Sequence, residues 1–86
     1  MKKLSIISLA EKKLQRRSIP EEWIFELINC PAQIVEGYGG RKIAQKKYVI
    51  ENKEYLLRAI YEENADQIEV ITAYLTSQVK RYWKEE

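Results

Sequence analysis

The sequence contains no histidine, and this absence removes several kinds of chemistry at once. Histidine is the usual general base near neutral pH, a common zinc ligand and the partner of serine or cysteine nucleophiles. Any catalysis must therefore use arginine, lysine, tyrosine or carboxylate side chains. We expect no metal site and no cofactor.

Cysteine and long apolar segments are also scarce. The single cysteine, Cys30, cannot form an intrachain disulfide, which favours a reducing compartment, and we expect it to be a small buried side chain. No run approaches the roughly 18 apolar residues that span a bilayer. The apolar stretch after Lys3 ends at charged residues 11–13, too early for a signal peptide. These absences predict a soluble, cytoplasmic protein without a membrane contact.

The charge balance is mild, but the charges are unevenly distributed. A chain of 86 residues fits one domain, and a net charge of +2 does not by itself indicate nucleic-acid binding. Basic residues nevertheless cluster in two short segments, which contain Lys12, Lys13, Arg16 and Arg17, and then Arg41, Lys42, Lys46 and Lys47. Each cluster is consistent with a nucleic-acid contact or with an ordinary solvated surface.

Two helices are predicted after a short first strand at residues 2–8. Ser8 with Glu11, and Ser18 with Glu21, both match the Ser-x-x-Glu capping box that marks a helix start. The first helix is predicted over 8–17, with Leu9 on its buried side, and the second ends near residue 29, before a proline. Together they predict a helical hairpin.

Strand-like segments follow at 33–36, 41–50, 54–62 and 67–75, and a last helix is predicted at 78–84. Short connections between successive strands indicate antiparallel pairing. The predicted fold is α+β, with the helical hairpin packed on a four- to five-stranded antiparallel sheet and a short C-terminal helix.

Arg58 lies in the middle of the most strand-like segment. A charged group there must face water or a ligand, because leaving it unpaired in an apolar interior costs several kcal/mol. Side chains alternate along a strand, so Arg58 shares a face with Leu56 and Ile60. On the next strand the same alternation groups Val70 with Tyr74, and we expect Arg58 to meet Tyr74 on a face that the helices leave open.

Four segments resemble a family of small uncharacterised bacterial proteins: residues 13–19, Pro31, residues 57–61 and residues 70–74. With the order of elements, they also resemble the RelE/ParE-like and BrnT toxins. The resemblance implies one RelE/ParE-like domain over 1–86, acting as the toxin of a toxin-antitoxin pair and neutralised by an antitoxin protein. The chain has Leu9-Ala10 where such proteins often have His-Ala, and Tyr74 where BrnT-like chains have an arginine.

The resemblance also implies a metal-independent endoribonuclease, or a derivative of one, with RNA as its ligand. Arg58 and Arg81 would hold the scissile phosphate, Lys46 or Lys47 would assist proton transfer or positioning, and Tyr74 would contact a nucleotide. Further RNA contacts are assigned to Arg17, Arg41, Lys42, Lys47 and Tyr82. Two alternatives stay open: a non-catalytic module that binds a protein segment on the sheet face or a strand edge, and a gyrase-directed, ParE-like inhibitor.

Overall fold

A five-stranded sheet organises the chain, with its strands in the order β1-β5-β4-β3-β2. A computed structural model describes residues 2–85. The elements are β1 (Lys3–Ile6), α1 (Ser8–Arg16), α2 (Glu21–Asn29), β2 (Gln33–Glu36), a 3-10 turn (Tyr38–Gly40), β3 (Lys42–Ile50), β4 (Lys53–Glu63), β5 (Gln67–Thr76) and α3 (Val79–Tyr82). The predicted α+β class and order of elements are confirmed.

The sheet is mixed, so the prediction of a wholly antiparallel sheet is wrong. Strands β2 to β5 form the expected antiparallel meander, but β1 pairs with β5 in parallel, from Lys3 beside Gln67 to Ile6 beside Val70. The physical reason is the long connection between the two strands. Only short connections require antiparallel pairing, and the whole helical hairpin and meander separate β1 from β5.

Helices α1 and α2 cover one face of the sheet. Their buried side chains include Leu14, Ile24 and Leu27, and none of the three is more than 1% exposed. Opposite them lies a cross-strand row of small residues, Ala44, Ala59 and Ala73, which are equally buried. Because alanine side chains are short, they leave room for the larger helical side chains to pack closely against the sheet.

The connection between α1 and α2 differs from the predicted second capping box. Ser18 has a left-handed backbone, with φ of 56°, and its N–H donates to Gln15 O at 3.1 Å. The N–H of Ile19 donates to Leu14 O at 2.9 Å, and both of these side chains are buried. This is a Schellman motif, in which Ser18 occupies the position that usually holds glycine. Ser18 therefore ends α1 and does not cap α2, whose N-cap is Pro20.

Three further local predictions are wrong, two in α1 and one at the end of α2. Ile7, not Ser8, is the N-cap residue of α1 and makes no side-chain cap. The buried side of the helix then contains Ala10 and Leu14, one turn apart, and Leu9 points outward with 57% exposure. Cys30 is exposed at the C-cap of α2, where the helix has already ended.

A β-bulge changes the predicted faces of β5. The pairing register between β4 and β5 shifts between Ile60 and Tyr61. The extra residue in β5 reverses the alternation of side chains on one side of the bulge. As a result Val70 is fully buried in the core beneath the helices, and it does not share a face with Tyr74 as predicted.

Candidate functional site

A row of four polar side chains crosses the sheet on the face away from α1 and α2. The registers place Gln33 beside Gln45, Gln45 beside Arg58, and Arg58 beside Tyr74. Residues that pair directly across antiparallel strands project to the same face. One continuous row thus runs over β2, β3, β4 and β5, and it includes the predicted meeting of Arg58 with Tyr74.

Arg58 is buried within this row, with 8% exposure. Its Nε donates to Gln45 Oε1 at 3.0 Å, and its Nη1 donates to the hydroxyl of Tyr74. From α3, the ring of Tyr82 lies over the guanidinium, with 4.1 Å between Cζ and the ring centroid. Tyr74 and Tyr82 also meet edge to face, with their centroids 6.4 Å apart. The orientation of the guanidinium is therefore fixed by contacts with three side chains, those of Gln45, Tyr74 and Tyr82.

The partners of Arg58 are all uncharged. Every ion pair found among residues 2–85 involves other cations, and Arg58 is in none of them. Amide and hydroxyl dipoles and the π face of Tyr82 stabilise a guanidinium without cancelling its charge. Arg58 accordingly gives this face a positive charge at a position that is largely shielded from solvent.

The same row holds the C-terminal segment, residues 82–84, against the sheet. Gln45 Nε2 donates to Gln33 Oε1 at 2.8 Å and to the backbone oxygen of Tyr82 at 3.1 Å. The N–H of Lys84 donates to Gln33 Oε1 at 3.1 Å, and Gln33 Nε2 donates to Lys84 O at 2.5 Å. The two glutamines thus form a hydrogen-bonded chain that links the Arg58 side chain to the backbone of the C-terminal segment.

Further cations and aromatic rings lie on the same face as Arg58. The Nζ of Lys47 lies 4.4 Å from the ring centroid of Trp83. The Cζ of Arg81 lies 5.5 Å from the ring centroid of Tyr82, so two guanidinium groups approach the same ring. Beside α3, residues 77–81 and Glu54 line a shallow groove of about 580 Å³. Alternating cations and rings of this kind are suited to phosphates and stacked bases.

Beyond the polar row, the face is apolar and only partly covered. The next cross-strand row consists of Val35, Ile43, Ile60 and Thr72, all of them partly exposed. Arg58 therefore lies at a boundary between the segment covered by α3 and an accessible strip of the sheet.

The structure does not bring all of the predicted site residues to this face. Lys46 lies on the opposite face, where its Nζ is 3.8 Å from Glu26 Oε1. The remaining three contact other groups: Arg41 Nε donates to Glu62 at 3.0 Å, Lys42 Nζ donates to Glu63 at 3.3 Å, and Arg17 Nη1 donates to Ala73 O at 2.7 Å. Of the predicted residues, Tyr74 and Tyr82 contact Arg58. Arg81 approaches the ring of Tyr82, and Lys47 lies on the same face against Trp83.

Sequence reasoning missed Gln33, Gln45 and Trp83. The signal for the glutamines was present, because pairing the predicted strands in register would have placed them in the row of Arg58. Trp83 lies within the last helix predicted at 78–84. It instead follows α3 and lies against Lys47.

Two tyrosines outside the row have perturbed acidity. Burial, with a smaller contribution from Glu26, raises the pKa of Tyr48 above its ordinary value. Burial also raises the pKa of Tyr61, with a contribution from Glu63. The hydroxyl of Tyr48 is buried and has no hydrogen-bond partner within residues 2–85. Both groups are therefore neutral phenols at physiological pH, and neither is activated as a base.

In the described part of the chain no group of three or more cysteine, aspartate or glutamate side chains is arranged to hold a metal ion. Among residues 2–85, no helix is both long enough and apolar enough to cross a bilayer. A scan against models of protein families, and searches of curated proteins and of solved structures, find no match to this chain. Its function must therefore follow from the site itself.

Proposed function

We propose that this protein is a RelE/ParE-like toxin that acts on RNA through the face containing Arg58. The observation that carries the proposal is the buried guanidinium of Arg58, which is oriented by Gln45 and Tyr74 and is left without a carboxylate partner among the described residues. An oriented, uncompensated cation is the group needed to stabilise negative charge that develops at a phosphate. The order of elements, on which the resemblance is partly based, is consistent with the proposal.

The chemistry would be a cleavage in which the RNA supplies its own nucleophile. The 2′-hydroxyl attacks the adjacent phosphorus and loses its proton to solvent, the bond from phosphorus to the 5′ oxygen breaks, and the 5′ oxygen takes a proton from solvent. The products are a 2′,3′-cyclic phosphate and a 5′-hydroxyl. Arg58 and Arg81 would stabilise the phosphorane, and Tyr82 or Tyr74 would stack on a base. Lys47 is better placed than Lys46 to contact the same RNA, because Lys46 lies on the other face of the sheet. An antitoxin protein would be the neutralising partner.

Two neighbouring lysines provide a matched test of RNA binding. Lys47 is on the face of Arg58 and Lys46 is on the opposite face, so the same substitution in one strand probes the two faces separately. We expect Lys47→Ala to weaken binding of a short single-stranded RNA and to reduce the slope of log K against log salt by about 0.7, the value for one lost phosphate contact. Lys46→Ala should change neither quantity. Fluorescence anisotropy over a salt series measures both.

Toxicity and cleavage need a separate experiment. We expect expression of the chain alone to arrest growth and fragment RNA, and expect Lys47→Ala, which leaves the Arg58 network intact, to relieve both effects partly. The toxin proposal fails if the purified chain neither binds nor cleaves RNA at low salt and its expression leaves growth unaffected. Equal effects of Lys46→Ala and Lys47→Ala would show that RNA is not bound on this face.

A second candidate is a non-catalytic protein-interaction module. It is favoured by the completeness of the contacts that Arg58 makes within the chain, because a guanidinium with 8% exposure and several internal partners needs no ligand to be stable. The same growth and RNA assays separate the candidates. A module of this kind would bind a protein while having no effect on RNA.

A further inference from the structure

Besides the outer edges of the four-residue terminal strands β1 and β2, part of the inner strand β3 has a backbone edge that no other strand covers. Strand β2 pairs with only the first four residues of β3, from Lys42 to Gln45. The rest of β3, residues 46–50, continues beside β4 alone. We call residues 46–50 the open edge of β3. Unpaired strand edges are templates to which another extended segment can add.

The hydrogen-bonding pattern identifies which backbone groups are free. In an antiparallel ladder, the N–H and C=O of alternate residues point to the same side of the strand. Arg41 O accepts from Gly37 N and Gln45 O accepts from Ala32 N, so odd-numbered residues of β3 face the β2 side. By the same alternation Lys47 and Val49 direct their backbone groups outward. No hydrogen bond from the described residues reaches these groups on that side.

The side chains along the open edge add an apolar and a basic element. Val49 is 72% exposed, which leaves a β-branched side chain in water beside unpaired backbone. On the same face Lys47 contacts the ring of Trp83, and no ion pair within residues 2–85 includes it. On the other face Tyr48 stacks on Trp23, with 4.9 Å between centroids. A segment added here would lie next to two indole rings and a free ammonium group.

A second inner strand, β5, also projects beyond its neighbour, and there the edge is protected. Strand β1 covers β5 only as far as Val70, so residues 71–76 also project beyond their neighbour. There Arg17 Nη1 donates to Ala73 O at 2.7 Å, and α1 packs against the strand. A charged side chain that occupies an edge carbonyl prevents another strand from using it. The open edge of β3 has no such cover among the described residues, which distinguishes it from the projecting part of β5.

We propose that the open edge of β3 binds an extended acidic segment of a partner protein by adding it as a further strand. Backbone hydrogen bonds would form at Lys47 and Val49, an acidic side chain would face Lys47, and an apolar side chain would cover Val49. The ammonium group of Lys47, which no ion pair within residues 2–85 includes, disfavours a basic side chain beside it, and this repulsion gives selectivity. The inference is compatible with either candidate function, because it requires a protein partner and makes no use of RNA or of Arg58.

The test uses a synthetic seven-residue peptide, Thr-Glu-Thr-Val-Thr-Glu-Thr, titrated into the ¹⁵N-labelled chain; its glutamates and valine share one face at two-residue spacing, which matches the spacing of Lys47 and Val49. We expect saturable chemical-shift changes centred on the amides of Lys47 and Val49 and slower hydrogen exchange at both. A peptide with lysine at each glutamate position is the charge control and should bind at least about tenfold more weakly. Changes centred elsewhere, no saturable change, or equal binding of both peptides would overturn the proposal.

A matched pair of variants tests the backbone contribution. Val49→Pro removes an outward N–H that no described residue uses, so β3 should keep its ladder with β4. We expect this variant to lose roughly tenfold in peptide affinity, and Val49→Thr, which keeps the N–H and the β-branched shape, to lose less than about threefold. Equal losses in the two variants would contradict strand addition. If Val49→Pro does not fold, the amide shifts of the unsubstituted chain decide the question, and RNA binding measured in parallel keeps this result separate from the toxin proposal.

Discussion

The hydroxyls of Tyr74 and Tyr48 allow a direct measurement of how firmly Arg58 is held. Both side chains are partly buried, but the Tyr74 hydroxyl accepts a hydrogen bond from Arg58, and the Tyr48 hydroxyl is buried without a partner in the described chain. Substitution by phenylalanine removes the same oxygen from each residue and keeps each ring. The two variants therefore differ mainly in whether a hydrogen bond is lost.

The expected magnitudes have opposite signs. A hydrogen bond to a charged group contributes about 1.5–3 kcal/mol, so Tyr74→Phe should lower the free energy of unfolding by about 2 kcal/mol. Removing a buried oxygen without a partner relieves a desolvation cost, so Tyr48→Phe should be neutral or stabilising by about 1 kcal/mol. Its stack on Trp23, at an interplanar angle of 17°, remains available.

Urea unfolding followed by tryptophan fluorescence and by far-UV circular dichroism measures both changes. At about 4–8 °C per kcal/mol for a chain of this size, Tyr74→Phe should also lower Tm by roughly 10 °C. A loss in Tyr48→Phe equal to that in Tyr74→Phe would refute the reasoning. So would a neutral Tyr74→Phe, because the Tyr74 hydroxyl would then contribute nothing to the orientation of Arg58.

Three other predictions concern the stability of the fold. Ser18→Gly should stabilise the chain by about 1 kcal/mol in urea unfolding, because glycine adopts the observed φ of 56° without strain; a loss of stability would contradict the Schellman assignment. Asn52→Gly should act in the same direction in the turn after β3, where φ is 65°, and unchanged stability would count against it. Hydrogen bonds from Lys2 and then Lys42 lower the pKa of Glu63, so its contribution to stability is present above its unfolded pKa and is lost as pH falls through the folded value. The stability difference between the unsubstituted chain and Glu63→Gln should therefore disappear on acidification, and a pH-independent difference in thermal melts would exclude this linkage.

Periodicity alone predicted the central part of the site. Alternation along a strand placed Arg58 on one face with Leu56 and Ile60, and the pairing with Tyr74 followed from the meander. This worked because side-chain direction in a strand depends on local geometry, which a sequence states directly. The same alternation places Lys46 and Lys47 on opposite faces of β3.

Features that depend on tertiary context were not predictable in the same way. The bulge at Ile60 and Tyr61 moved Val70 to the core, and no local signal marks such a shift. The parallel pairing of β1 with β5 joins residues far apart in sequence. Ser18 and Glu21 match a capping box in sequence. The hydrogen bonds of residues 14–19 and the positive φ of Ser18 nevertheless show that this serine ends α1.

The identity of the groups around Arg58 determines what the face can bind. A carboxylate at position 45 would also orient the guanidinium, and at a contact of 3.0 Å it would neutralise the charge. Gln45 orients Arg58 through a neutral oxygen, and its amide nitrogen remains free to hold Gln33 and the Tyr82 carbonyl. A neutral amide therefore fixes both Arg58 and the C-terminal segment without cancelling the positive charge. A carboxylate at position 45 would instead form a structural ion pair, in which the charge is cancelled within the chain.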